Sequence, residues 1–250
     1  VDLQSKLEFS DSDTKNHDEH PPKLQEIGRY PPSLQPDWSN LKILHRNTLP
    51  PRSWFHIYRN ESDALTRDIS KSYTKSLSGT WKFKLESFPL EPAPPFYKTD
   101  FDATEWDDIQ VPGMWQLQGH GKGPQYTNVN FPWPVDPPNI PFDDNETGYY
   151  VRKFVVPEDW RKRKMQIRLR FEGVDSGFHV WLNGKEVGYS QGARNPSEWN
   201  VTEALGEGGE QTLAVRVYQR CDGSYLEDQA SAYAHMNKMG SNHTSRINGG

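Results

Sequence analysis

Residues 165–195 read MQIRLRFEGVDSGFHVWLNGKEVGYSQGARN. Met165, Ile167, Leu169 and Phe171 alternate with Gln166, Arg168 and Arg170. That period of two predicts a half-buried strand, apolar on one side and polar on the other. Phe178, Val180 and Leu182 alternate with His179 and Trp181 in a second strand, and Lys185 to Tyr189 leads away in a third. Asn183-Gly184 stands between the last two. An Asn-Gly pair between strand-like runs predicts a hairpin, because a type I′ turn needs positive φ at both central residues. The stretch therefore predicts an antiparallel sheet with one buried face.

Outward from it, the same alternation recurs. Trp81, Phe83 and Leu85 alternate with Lys82 and Lys84, and Tyr149 to Val156 is a strand closed by Pro157. In Gln211 to Tyr218, Leu213, Val215 and Val217 are expected to point inward. Short strands separated by Gly- and Pro-rich turns, with little helical period, predict an all-β antiparallel sandwich or jelly roll. Residues 86–98 are too rich in proline for a central strand or a helix interior. The acids between Asp102 and Asp108 are read as solvated turn and cap residues. Residues 112–148 form a long loop rich in Pro, Gly and Asn, yet carrying Trp115, Tyr126, Phe131 and Trp133. A loop of that length is usually functional, and this one is expected to line a cleft.

The ends read differently. Residues 1–36 are polar, without period, and predict a disordered arm. Residues 37–75 are expected to be an extended segment packed on the sandwich, with Trp38, Leu44, Trp54 and Phe55 as anchors. The domain proper is placed at 76–228, and 229–250 as a divergent, disordered tail. The mean hydropathy of −0.92, with 33% hydrophobic residues, is low for a wholly packed chain and agrees with such ends.

Composition narrows the function. A net charge of −5 and the lack of a long basic run argue against nucleic acid as the partner. No apolar run is long enough to span a membrane, and no leader is visible in the first twenty residues. A lone cysteine, Cys221, excludes an internal disulfide framework, and a cytoplasmic location is expected. Asn60, Asn145, Asn200 and Asn242 match the glycosylation pattern and are read as chance matches. Nine Trp residues in a β-rich chain suit sugar handling, since flat apolar rings stack on pyranose faces; the alternative is that they fill a core. The eight His residues are scattered, with His17 and His20 in the arm and His235 and His243 in the tail, so no metal spacing emerges. Gly188-Tyr189-Ser190-Gln191-Gly192 matches a nucleophile elbow by letter, but Pro196 follows where a helix is needed.

Several longer motifs resemble one family. Leu77-Ser78-Gly79-Thr80-Trp81 and Phe101-Asp102 through Trp106 to Val111-Pro112 resemble the sandwich domain shared by β-galactosidases, β-glucuronidases and β-mannosidases. Three others resemble β-galactosidases in particular: Tyr126-Thr127-Asn128-Val129 with Pro134 to Pro138, Arg170 to Ser176 continuing to Gly188-Tyr189-Ser190, and Asp222 to Gln229. The segment from Leu44 to Phe55 also fits, and the resemblance runs from about Asp37 to Gln229.

The resemblance implies a galactose-binding-like jelly roll that packs on a (β/α)8 barrel carrying two catalytic glutamates. It implies a β-galactoside as ligand and Asn128 as a sugar contact. It also implies magnesium and sodium in the full enzymes, and homo-oligomers. The family's second sugar contact, an Asp that also binds sodium, is replaced by Ala230. Further departures are Arg220-Cys221 where Trp-Ser is usual, Gly113-Met114 before Trp115, and Glu146 in place of a Pro. A (β/α)8 barrel takes about 250 residues, so the chain is expected to be a fragment that stops before the barrel and is inactive alone. The alternative is a stand-alone carbohydrate-binding or interaction module.

Overall fold

The computed structural model describes residues 35–125, 133 and 136–227. The arm up to 34, the stretch with Asn128, and the tail from 228 lie outside the described residues.

The strands, in chain order, are β1 (His45–Arg46), β2 (Gly79–Glu86), β3 (Asp107–Val111), β4 (Thr147–Val155), β5 (Arg168–Phe171), β6 (Gly177–Leu182), β7 (Lys185–Gln191), β8 (Ser197–Asn200) and β9 (Glu210–Tyr218). Among the described residues they form a seven-stranded sheet in the order β1-β7-β6-β9-β4-β2-β3 and a pair β5-β8. Every pairing is antiparallel. The fold is an all-β jelly-roll sandwich, as the alternation predicts. The helices are short: α1 (Glu61–Thr66), α2 (Glu158–Lys162) and α3 (Ser224–Glu227).

The β6–β7 hairpin turns at Asn183 and Gly184, whose φ values of 52° and 80° are those a type I′ turn demands. The inner face of the large sheet carries Trp81, Phe83, Tyr150, Phe178, Val180, Leu182, Leu213, Val215 and Val217. Phe171 and Leu169 of β5 and Trp199 of β8 close on them from the opposite layer.

Two expectations need correction. First, the hairpin does not have one buried face: all six residues of β6 are buried. Its outer side is covered by the proline-rich stretch, where Phe96 packs with Trp181, Tyr149 and Ala214. Trp38 covers Tyr189 and Tyr218 on the same side. Second, β5 pairs with β8, not with β6, so the 165–195 stretch contributes to both layers. β5 also starts at Arg168 rather than Met165, because the Met165 amide still bonds to Trp160 and Lys164 takes a positive φ.

The 37–75 stretch is not extended throughout. Asn60 caps α1 by accepting the Asp63 amide at 2.9 Å, which satisfies one of the helix's free donors. Of the four anchors, Trp38 is fully buried, whereas Leu44, Trp54 and Phe55 are more than half exposed. Polar groups fasten this segment instead. Arg46 grips Asp37 through two bonds of 2.5 and 2.8 Å. Arg52 grips the buried Glu198 of β8 through bonds of 2.8 and 2.5 Å. Burial pushes the Glu198 carboxyl up, but Arg52 and Arg168 outweigh it and hold the group below the ordinary range.

Candidate functional site

A cleft of about 790 Å³ opens between the two layers. Trp81, Tyr150, Val215 and Val217 form its floor, and Phe171 and Val174 the facing wall. Those four floor residues are buried members of the core on the inner face of the large sheet. The loops add Trp115, Gln125 and Trp133, with Arg220 against the last two, and Asp175 and Arg194. Aromatic walls with a few convergent polar groups are what a small polar ring with apolar faces requires. Burial raises the Asp175 carboxyl above its ordinary range, opposed by the Arg194 charge.

The long 112–148 loop is tied to the chain after β9 at several points. The Asn145 side chain bonds the Arg220 backbone both ways, at 3.0 Å from its amide and 2.9 Å to its oxygen. The Arg220 guanidinium donates to the Asp144 backbone oxygen and, at 3.2 Å, to Gln125 Oε1. It lies 4.1 Å above the Trp133 ring. Trp133 Nε1 donates to the Tyr225 hydroxyl at 3.2 Å, and that hydroxyl donates to the Asn139 carbonyl at 2.6 Å. Glu146, also buried, accepts the Lys122 amide at 2.9 Å. Burial lowers the Arg220 pKa, and the charges of Asp144 and Glu146 oppose that shift. Glu146 and Arg220 are thus linked through Lys122 and Asp144.

The residue expected to touch sugar, Asn128, lies outside the described residues, as does Ala230. Their sequence neighbours do not: Gln125 and Trp133 flank Asn128 and line the cleft, and so does Ser224, six positions before Ala230. Sequence reasoning missed Asp175 and Arg220 as site residues. Asp175 stood inside a quoted motif, and Arg220 was visible only as a charge where Trp is usual. Among the described residues no group of three or more His, Cys, Asp or Glu could hold a metal. None of the helices among them is long and apolar enough to cross a membrane. Ser190 sits in β7, buried, its hydroxyl bonded to Ser197 at 2.8 Å, which removes the elbow reading.

A carboxylate, an imidazole and a hydroxyl do line up on the outer face of the large sheet. His179 Nε2 lies 3.3 Å from Asp37 Oδ2, and His179 Nδ1 lies 2.9 Å from the Tyr218 hydroxyl. Burial lowers the His179 pKa and raises that of Tyr218 well above its ordinary value. The tyrosine therefore stays protonated and donates to Nδ1, while Nε2–H donates to Asp37. None of the three lines the cleft, and the row fastens the 37–46 segment to the sheet.

Against this geometry, the comparisons with known proteins are specific. The family pattern described as glycosyl hydrolases family 2, sugar binding domain, matches residues 74–244. A β-galactosidase of Vibrio vulnificus is 44% identical over 194 residues, which is 77% of this chain and 18% of that protein. A β-galactosidase of Halalkalibacterium halodurans is 43% identical over 194 residues, 76% of this chain and 19% of that protein. Among solved structures, a Bifidobacterium dentium β-glucuronidase shares 25% identity over 57% of this chain and 19% of its own, with a TM-score of 0.41. The chain spans about a fifth of the length of the curated relatives it matches.

Proposed function

The chain belongs to glycosyl hydrolase family 2 through its sugar-binding domain, and we propose that it is the N-terminal sugar-binding part of a β-galactosidase. The observation that carries this reading is the cleft lined by Gln125 and Trp133, which flank Asn128 in the sequence, and by Ser224 of the Asp222 to Gln229 motif. Asn128 presents an amide to the hydroxyls of a terminal β-D-galactoside. Ala230 presents nothing, so affinity for the free sugar is weak.

Hydrolysis lies outside these residues. Retaining glycosidases place two carboxyl groups about 5 Å apart across the bond they cut, and the described cleft lining holds one carboxylate, Asp175. The partner that supplies the pair is a catalytic (β/α)8 barrel, on a longer chain or on a separate one, within a homo-oligomer. A single cysteine, buried, suits the reducing cytoplasm.

Galactose titration by ligand-observed NMR tests the reading. Saturation transfer to galactose that is lost in Asn128→Ala is expected. No transfer to the wild-type chain overturns the sugar site, and turnover of a β-galactoside by the pure chain overturns the assignment of catalysis elsewhere.

A further inference from the structure

Arg220 is nearly inaccessible, at 3% exposure, and a buried guanidinium is retained only where its donors are used. Its donors reach Asp144 and Gln125, and its flat face covers Trp133. Gln125 and Trp133 stand at the two ends of the stretch that carries Asn128. Nothing else among the described residues bonds the Gln125 side chain. One planar group on the segment after β9 therefore holds two cleft-lining side chains, Gln125 and Trp133, at once.

We propose that Arg220 is a positioning residue for the sugar site, a clamp that sets the distance between the Gln125 and Trp133 ends of the cleft rim. The proposal rests on the sugar-binding reading above. A fork and a stacked plane are both needed: Lys, a point charge on a flexible stem, can pair with Asp144 but cannot stack on Trp133 and reach Gln125 at once. The charges of Asp144 and Glu146 oppose the cost of burying the guanidinium here.

The experiment uses the full 250-residue chain as wild type, Arg220→Lys and Gln125→Ala. Gln125 is exposed, so its truncation leaves the core intact and isolates one arm of the clamp. Hydrogen–deuterium exchange is read on peptides covering 117–125 and 136–147, with 177–191 and 210–218 as internal controls. Galactose affinity is read in parallel. Faster exchange in the first two peptides only, in both variants, with affinity weaker by about tenfold, the factor expected when one charge-assisted hydrogen bond is lost, supports the clamp. Unchanged exchange at 117–125 in both variants overturns it, as does full retention of affinity by Arg220→Lys. If the wild-type chain does not bind galactose, the sugar reading falls, and the exchange result alone decides whether Arg220 holds the rim.

Discussion

Replacing Trp38 with Ala separates a segment that is part of the domain from one that merely lies on it. Trp38 is fully buried, with its ring centroid 5.7 Å from Tyr218 and 6.3 Å from Phe142. A buried Trp removes about 200–250 Å² from water. At about 25 cal/mol per Å² that is ~5–6 kcal/mol, an upper bound because the unfolded chain is itself partly collapsed. With that discount the expected loss is ~4 kcal/mol, inside the ~3–5 kcal/mol range seen when large aromatic side chains are cut back to Ala. For a domain of this size that lowers Tm by roughly 8–16 °C. Trp54 is the control: at 57% exposure its truncation should stay within about 0.5 kcal/mol. Urea titration followed by far-UV circular dichroism measures both. A Trp38→Ala loss below about 1 kcal/mol, or equal effects of the two substitutions, refutes the claim that residues 37–46 complete the outer face of the large sheet.

Two further outcomes follow from the site. Burial raises the Asp175 pKa, so the folded state binds more protons than the unfolded one between the ordinary and the raised value, and stability falls as pH rises through that window. Asp175→Asn should therefore be more stable than the parent at pH 7 and equal to it below the ordinary carboxylate range; a constant difference across pH contradicts this. Gly121 has φ +70°, and a Cβ there would clash with the Glu146 carboxylate. Gly121→Ala should cost ~2 kcal/mol in urea titrations, from left-handed strain of ~1–2 kcal/mol and the disturbed Lys122–Glu146 bond; a loss below about 0.5 kcal/mol contradicts it.

What the sequence disclosed and what it hid divide along sequence separation. The β6–β7 hairpin was readable because its cause is local: positive φ at Asn183 and Gly184, and period two on either side. The β5–β8 pairing was not, since alternation says that a strand has a buried face but not which strand lies beside it. The outer face of β6 and β9 read as wet because His179 and Arg216 are polar. It is dry because segments more than a hundred residues earlier cover it, with Asp37 and Leu90 meeting those polar groups. Asn128 was nameable only through the resemblance of its motif. Arg220 was opaque for the same reason as the β5 partner: its bonded partners lie 75 to 95 positions away.

The same separation explains why the segment before β2 matters to the cleft. The Asp222 amide donates to the Trp38 carbonyl at 2.9 Å, and the Asp222 carboxyl accepts from Gln191 at 2.8 Å. Asp222 lies two residues after Arg220, so the backbone that presents the guanidinium is held from behind by Trp38 and from the side by β7. Cys221 packs in the same cluster as Trp38, Trp133 and Tyr225. Removing Trp38 therefore loosens the support of Arg220 as well as the sheet cover. Its effect on sugar affinity should exceed that of an equally destabilising substitution on the inner face, such as one at Leu182, which does not line the cleft. Titrating galactose into Trp38→Phe and Leu182→Ala, compared under conditions where both are fully folded, checks this; equal affinities would mean that the 37–46 segment stabilises the sandwich without shaping its cleft.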